Sequence, residues 1–131
     1  IPKWTAAMID REDVFINGDG ETSRDFCFIE NAVQANILAA LADNEAKNNV
    51  YNIAVGDRTS LIDLYGLIKN SLSFSQVHIS NKPIFKDFRN GDVRHSQACI
   101  DKAKKYLGYS PQYTVAEGIS KSMPWYIKNN K

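Results

Sequence analysis

Short apolar runs separated by polar, glycine-bearing turns alternate along this chain with longer stretches whose apolar residues recur at helical spacing. Residues 2–10 suit a short helix with Pro2 near its first turn. Val14-Phe15-Ile16 is an apolar run ended by Asn17-Gly18, which predicts a strand followed by a turn. Phe26-Cys27-Phe28-Ile29 predicts a further extended run. From Asn31 the spacing of Val33, Ile37, Leu38 and Leu41 predicts a helix, punctuated by the polar cluster from Asp43 to Asn49.

The second half repeats the alternation. Val50 to Val55 has strand propensity and stops at Gly56. Ser60, with Asp63 three residues on, has the capping-box pattern of a helix start. Leu61, Leu64, Tyr65, Ile68 and Leu72 then form one apolar stripe. Val77-His78-Ile79 and Ile84-Phe85 are candidate strands flanking Pro83. Cys99, Ile100, Ala103, Tyr106 and Leu107 suit a helix stopped at Gly108. Thr114 and Glu117 make a second capping box, opening a helix to about Lys128 in which Pro124 predicts a kink or an early end. Helices with scattered short strands, no repeats and no low-complexity linker predict an α+β arrangement in one domain over residues 1–131.

Composition narrows the function classes. The chain is 44% hydrophobic and 24% charged with a formal net charge of +1, an ordinary globular balance that argues against nucleic acid as a partner. Lys102, Lys104 and Lys105 read as the exposed face of a helix. Two cysteines without a CxxC or Cys/His cluster make a zinc site improbable. Cys27 lies between phenylalanines, so a buried free thiol and a cytoplasmic setting are expected. No apolar stretch is long enough for a membrane span.

Candidate chemistry concentrates in two turns. Phe88-Arg89-Asn90-Gly91-Asp92-Val93-Arg94-His95-Ser96 gathers cations and a carboxylate around a glycine. Asn17-Gly18-Asp19-Gly20-Glu21-Thr22-Ser23-Arg24-Asp25-Phe26 is a second glycine-bearing turn ending in an arginine. Two such arginines can converge on one diphosphate, because a guanidinium forms paired, charge-assisted bonds to phosphate oxygens. An ionised Asp92, which only accepts, suits a ribose diol. Each also has a plainer role: Arg24 paired with Asp25 or Glu21, Arg89 with Asp92 across its own turn, and Ser96 capping the helix that follows.

These segments resemble the nucleotide-sugar epimerases of the extended short-chain dehydrogenase/reductase family, most closely its UDP-N-acetylhexosamine 4-epimerases of bacterial surface-polysaccharide pathways. The resemblance rests on NGDGxxxRDF and RxGDVRHS. It continues in order through Tyr51-Asn52-Ile53-Ala54-Val55-Gly56, Leu107-Gly108-Tyr109-Ser110-Pro111, Glu117-Gly118-Ile119 and Ser122-Met123-Pro124-Trp125-Tyr126. Such enzymes open with a strand, a GxxGxxG turn and a helix that hold NAD, and none of the seven glycines here has that spacing. With Ile1-Pro2-Lys3-Trp4 at its start, the chain is expected to be the carboxy-terminal, substrate-binding part of such an enzyme. The amino-terminal NAD-binding Rossmann part would be absent, and with it catalytic activity and bound cofactor.

The resemblance implies roles residue by residue. Arg24 and Arg89 would meet the diphosphate of UDP-N-acetylglucosamine or UDP-N-acetylgalactosamine, and Asp92 the ribose. Val14, Phe15 and Ile16 match the strand on which the family lays uracil, although a plain core strand fits them equally. Ser96 stands where a tyrosine crowds the sugar's C2 substituent and a small residue admits an N-acetyl group. Where relatives often carry Asp, Cys99 follows Ala98. Tyr65 and Lys69 have the family's catalytic YxxxK spacing, but Tyr65 sits on the apolar stripe of its helix and out of family order, so the pair is rejected. Another nucleotide-sugar epimerase or dehydratase, a UDP-sugar-binding module without chemistry and a structural domain stay open, as does a homodimeric parent.

Overall fold

The apolar stripe expected on residues 61–72 is the spine of the larger core. The computed structural model describes residues 1–80 and 82–130, and in it this stripe lies on α3 (Leu61–Phe74). Leu64, Tyr65, Ile68 and Leu72 pack with Met8 of α1 (Pro2–Ile9), Val14 and Ile16, and Ile119 and Met123 of α5 (Val115–Asn129). A smaller core joins α2 (Ile29–Ala40) to α4 (Asp101–Leu107) through Ala35, Ala103, Leu107 and Tyr109. The arrangement is helix-rich α+β.

The helix ends follow local chemistry. Ser60 caps α3 by accepting from the Asp63 N–H at 3.1 Å, and its hydroxyl donates to the Asp63 carboxylate at 2.6 Å. Thr114 and Glu117 complete a reciprocal box on α5. Gly108, at φ +66°, ends α4. The helix α5 runs through Pro124 to Asn129 rather than ending early. Both Pro124 and Ser120, four residues before it, are exposed, so the carbonyl that loses its donor is open to water.

Strands are few and short. β1 (Phe15–Asn17) pairs in parallel with β4 (Ile84–Lys86), and β2 (Ser23–Arg24) pairs antiparallel with β3 (Thr59–Ser60). Three runs expected to be extended are not strands. Residues 50–55 have no strand partner among the described residues; instead the N–H groups of Val55 and Gly56 each donate to the Asp25 carboxylate at 3.0 Å. Val77-His78-Ile79 follows a helix stop, not a turn between strands. Gln76 takes φ +64°, and the Gln76 and Val77 N–H groups reach back to Ser73 and Leu72 at 3.0 Å each, a Schellman closure whose apolar residue packs on the core. Phe26 to Ile29 is divided: Phe28 is the extended N-cap of α2, and Ile29 is already helical.

Two helical glycines give opposite expectations. A Cβ at Gly118 would stand 2.7 Å from the Phe28 Cβ, whereas one at Gly66 meets nothing within 4 Å. Gly66→Ala should stabilise the fold by about 0.5–1 kcal/mol through helix propensity. Gly118→Ala should destabilise it by about 1–3 kcal/mol through overpacking. Urea unfolding midpoints check both; equal shifts in the same direction would show that the Phe28 contact does not constrain α5.

Candidate functional site

The pairing of β1 with β4 decides which side chains face outward. Successive residues of a strand alternate between faces, so Val14 and Ile16 point inward, 5% and 0% exposed, while Phe15 between them is 40% exposed. The Phe15 carbonyl accepts from the Trp4 indole N–H at 3.1 Å, which fixes α1 against the strand. Lys86, two places beyond the β4 partner of Phe15, holds its ammonium 3.6 Å from the centre of the Phe15 ring.

Arg24 is positioned by a strand with neighbours on both sides. Ser23 pairs with Ser60 in β3 and bridges His95 on the other flank. On that flank the Ser23 N–H donates to Arg94 at 2.9 Å and its carbonyl accepts from the Ser96 N–H at 3.1 Å. The Ser23 hydroxyl and His95 Nδ1 share a 2.9 Å hydrogen bond. From this base the Arg24 guanidinium donates to the Asp92 carboxylate at 2.6 Å and to its neighbour's carbonyl at 2.8 Å. Asp25 accepts from Val55 and Gly56 at 3.0 Å each and from Ala98 at 3.3 Å.

A second ion pair ties the two glycine-bearing turns together. Arg94 donates both nitrogens of its fork to Asp19, at 2.9 and 2.7 Å. That hydrogen bonding holds the Asp19 carboxyl below its ordinary pKa and raises the Arg94 guanidinium. The ring of Phe88 lies 5.3 Å from the Arg94 guanidinium carbon and against Gly18, whose φ of +80° and missing Cβ let the turns touch.

Between these turns and α1 opens a cleft of about 490 Å³ lined by Phe15, Arg24, Arg89 and Asp92, among others. Trp4 and Lys86 also line it; the sequence reasoning missed both. The signal for Lys86 was its place two residues after Ile84 in a strand, which puts it on the face of Phe15's strand pair. The exposed Arg89 accepts from the Asp92 N–H through its carbonyl at 3.2 Å, but its guanidinium has no hydrogen-bond or ion-pair partner among the described residues. Val14 and Ile16 belong to the core, and Ser96 is exposed outside the cleft. Nor does Ser96 cap α4, whose N-cap is Ile100. Tyr65 is buried in the core and burial pushes its hydroxyl pKa up, the reverse of what a general base needs. Cys27 and Cys99 are free thiols, and burial raises the pKa of Cys27. Among the described residues no His/Cys/Asp/Glu group is arranged to hold a metal, and no helix is long and apolar enough to cross a membrane.

Comparison with known proteins gives a consistent set of relatives. The family model described as GDP-mannose 4,6 dehydratase matches residues 1–122. A putative UDP-glucose 4-epimerase of Methanocaldococcus jannaschii is 32% identical over 124 residues, which is 95% of this chain and 37% of that protein. The crystal structure of the UDP-glucose 4-epimerase of Thermotoga maritima with UDP-glucose superposes with a TM-score of 0.86 at 32% identity, covering 98% of this chain and 39% of that one. A UDP-N-acetylglucosamine 4-epimerase of Methanobrevibacter ruminantium, in complex with UDP-N-acetylmuramic acid, gives a TM-score of 0.81 at 31% identity, covering 97% and 38%. The chain thus spans under two fifths of the length of these relatives.

The Arg94–Asp19 pair predicts a particular acid sensitivity. A carboxyl held below its ordinary value when folded contributes stability above the unfolded pKa of about 4, and loses it as pH falls through the folded value. Arg94→Met should therefore flatten the fall in melting temperature below about pH 4 relative to the parent sequence. Melting curves from neutral to strongly acidic pH check this; parallel acid limbs would remove the pair from the stability of the site.

Proposed function

The chain belongs to the GDP-mannose 4,6-dehydratase family, and we propose that residues 1–131 are the carboxy-terminal, substrate-binding part of an NAD-dependent UDP-N-acetylglucosamine/UDP-N-acetylgalactosamine 4-epimerase of surface-polysaccharide biosynthesis. The observation that carries this reading is the meeting of Arg24, Arg89, Asp92 and Phe15 on one cleft from turns distant in sequence. Arg24 and Arg89 take the diphosphate, Asp92 the ribose and the Phe15 face the base. Ser96, small and outside the cleft, leaves room for the N-acetyl group of a sugar that extends beyond it. Support comes from relatives whose names include a UDP-N-acetylglucosamine 4-epimerase and two UDP-glucose 4-epimerases.

The Arg24–Asp92 pair suits this role. Both side chains are partly exposed, 28% and 37%, so the pair contributes at most about 1 kcal/mol. A diphosphate offers Arg24 equally short, charge-assisted bonds with more oxygens. Exchanging Asp92 for phosphate then releases a carboxylate to accept from the ribose hydroxyls beside it. One ligand satisfies both halves of the pair that it opens.

NAD does not fit the described residues. Each sheet has two strands, and no glycine-rich strand-to-helix turn of GxxGxxG spacing is present to admit a pyrophosphate. No hydride step is assigned to this chain. Its residues bind the nucleotide and orient the sugar, which is how remote binding energy serves a reaction at another atom. A second reading is a nucleotide-sugar-binding module without chemistry. The two readings separate on whether the full-length polypeptide turns over UDP-N-acetylglucosamine.

Calorimetric titration of UDP into the full-length polypeptide tests the clamp. Arg89→Ala should weaken binding about 10- to 100-fold, the loss of a charge-assisted contact; unchanged affinity would sink the assignment. For the sugar, Ser96→Tyr should selectively depress turnover of N-acetylated substrates. An equal fall for UDP-glucose would count against Ser96 as the gate.

A further inference from the structure

The face of Phe15 that the strand pairing turns into the cleft is already covered. Lys86 reaches from β4 across to β1 and places its ammonium 3.6 Å from the ring centre. The lysine has no ion-pair partner among the described residues, although Arg24 and Arg89 line the same cleft. A cation over an exposed ring is held weakly, and a stacked base uses the same face more strongly. The ammonium is also a compact charge on a long flexible stem, free to swing to a new anion.

We propose that Lys86 is a ligand-responsive third cation of the nucleotide site. It covers Phe15 while the cleft is empty and leaves the ring for the diphosphate when a base stacks there. The inference rests on the nucleotide reading above and adds the residue that couples base to phosphate. A nucleoside alone has to displace the ammonium without offering it an anion. Inorganic pyrophosphate draws the ammonium away but leaves the ring bare. Only a ligand carrying both parts compensates each displacement with a contact, so Lys86 makes the cleft selective for nucleoside diphosphates over either half.

Titration of the full-length polypeptide with UDP and with uridine tests this, using the parent sequence, Lys86→Met and Lys86→Arg. Lys86→Met should weaken UDP about 10-fold or more, as loss of a charge-assisted phosphate contact does, while uridine binds as well as before or better. Lys86→Arg should restore most of the UDP affinity. In the parent protein the Lys86 ε-methylene protons, shielded by the Phe15 ring, should move downfield on adding UDP. Unchanged UDP affinity in Lys86→Met, or an equal loss for UDP and uridine, would overturn the proposal. If UDP binding falls with Arg89→Ala but not with Lys86→Met, this inference alone fails. If the parent protein does not bind UDP, the nucleotide reading fails with it.

Discussion

The position of Arg24 in the cleft depends on how three consecutive residues, Ser23, Arg24 and Asp25, are held. Ser23 joins β3 on one side and the segment around His95 on the other. Asp25 gathers the N–H groups of Val55, Gly56 and Ala98 onto one carboxylate. Backbone donors need partners when they are withdrawn from water, and here a side chain accepts what a neighbouring strand would otherwise take. Between these anchors, Arg24 has a defined direction in which to extend. Its approach to Asp92 follows from that placement, and so does the distance between the two turns.

The same logic explains why the cleft has spare positive charge. Arg94 is engaged by Asp19 and stabilises the turns themselves. Among the described residues the one carboxylate paired with Arg24 is Asp92, in a partly exposed pair, and its guanidinium otherwise donates to backbone carbonyls. Arg89 and Lys86 have no carboxylate partner among the described residues. A protein that needed these cations only for its own stability would be expected to pair them. A site for an anion needs them held close together and incompletely satisfied.

Much of the helical framework was legible in the sequence because its signals are local. The capping patterns at Ser60 and Thr114, the stripe from Leu61 to Leu72 and the stop at Gly108 each depend on residues a turn apart. The runs at 50–55 and 77–79 were not legible, because strand propensity describes a residue's fit to a pleated neighbour that the sequence cannot supply. Val77 is apolar because it packs on the core after a helix stop, and the Val55 N–H donates to the Asp25 carboxylate rather than to a neighbouring strand. In the site, Arg24, Arg89 and Asp92 stood out as charged residues on glycine-bearing turns. Trp4 and Lys86 did not, since a tryptophan on a helix and a lysine in a strand are unremarkable until the fold turns them into one cleft. Alternation within a strand separates Phe15 from Val14 and Ile16.

A crystal structure of the full-length polypeptide with UDP is the most direct test of the cleft as a nucleoside-diphosphate site. The account predicts phosphate oxygens within about 2.7–3.2 Å of nitrogens of both Arg24 and Arg89, with Asp92 turned from Arg24 toward the ribose. UDP bound away from this cleft, or Arg24 still paired with Asp92 beside a bound diphosphate, would contradict it.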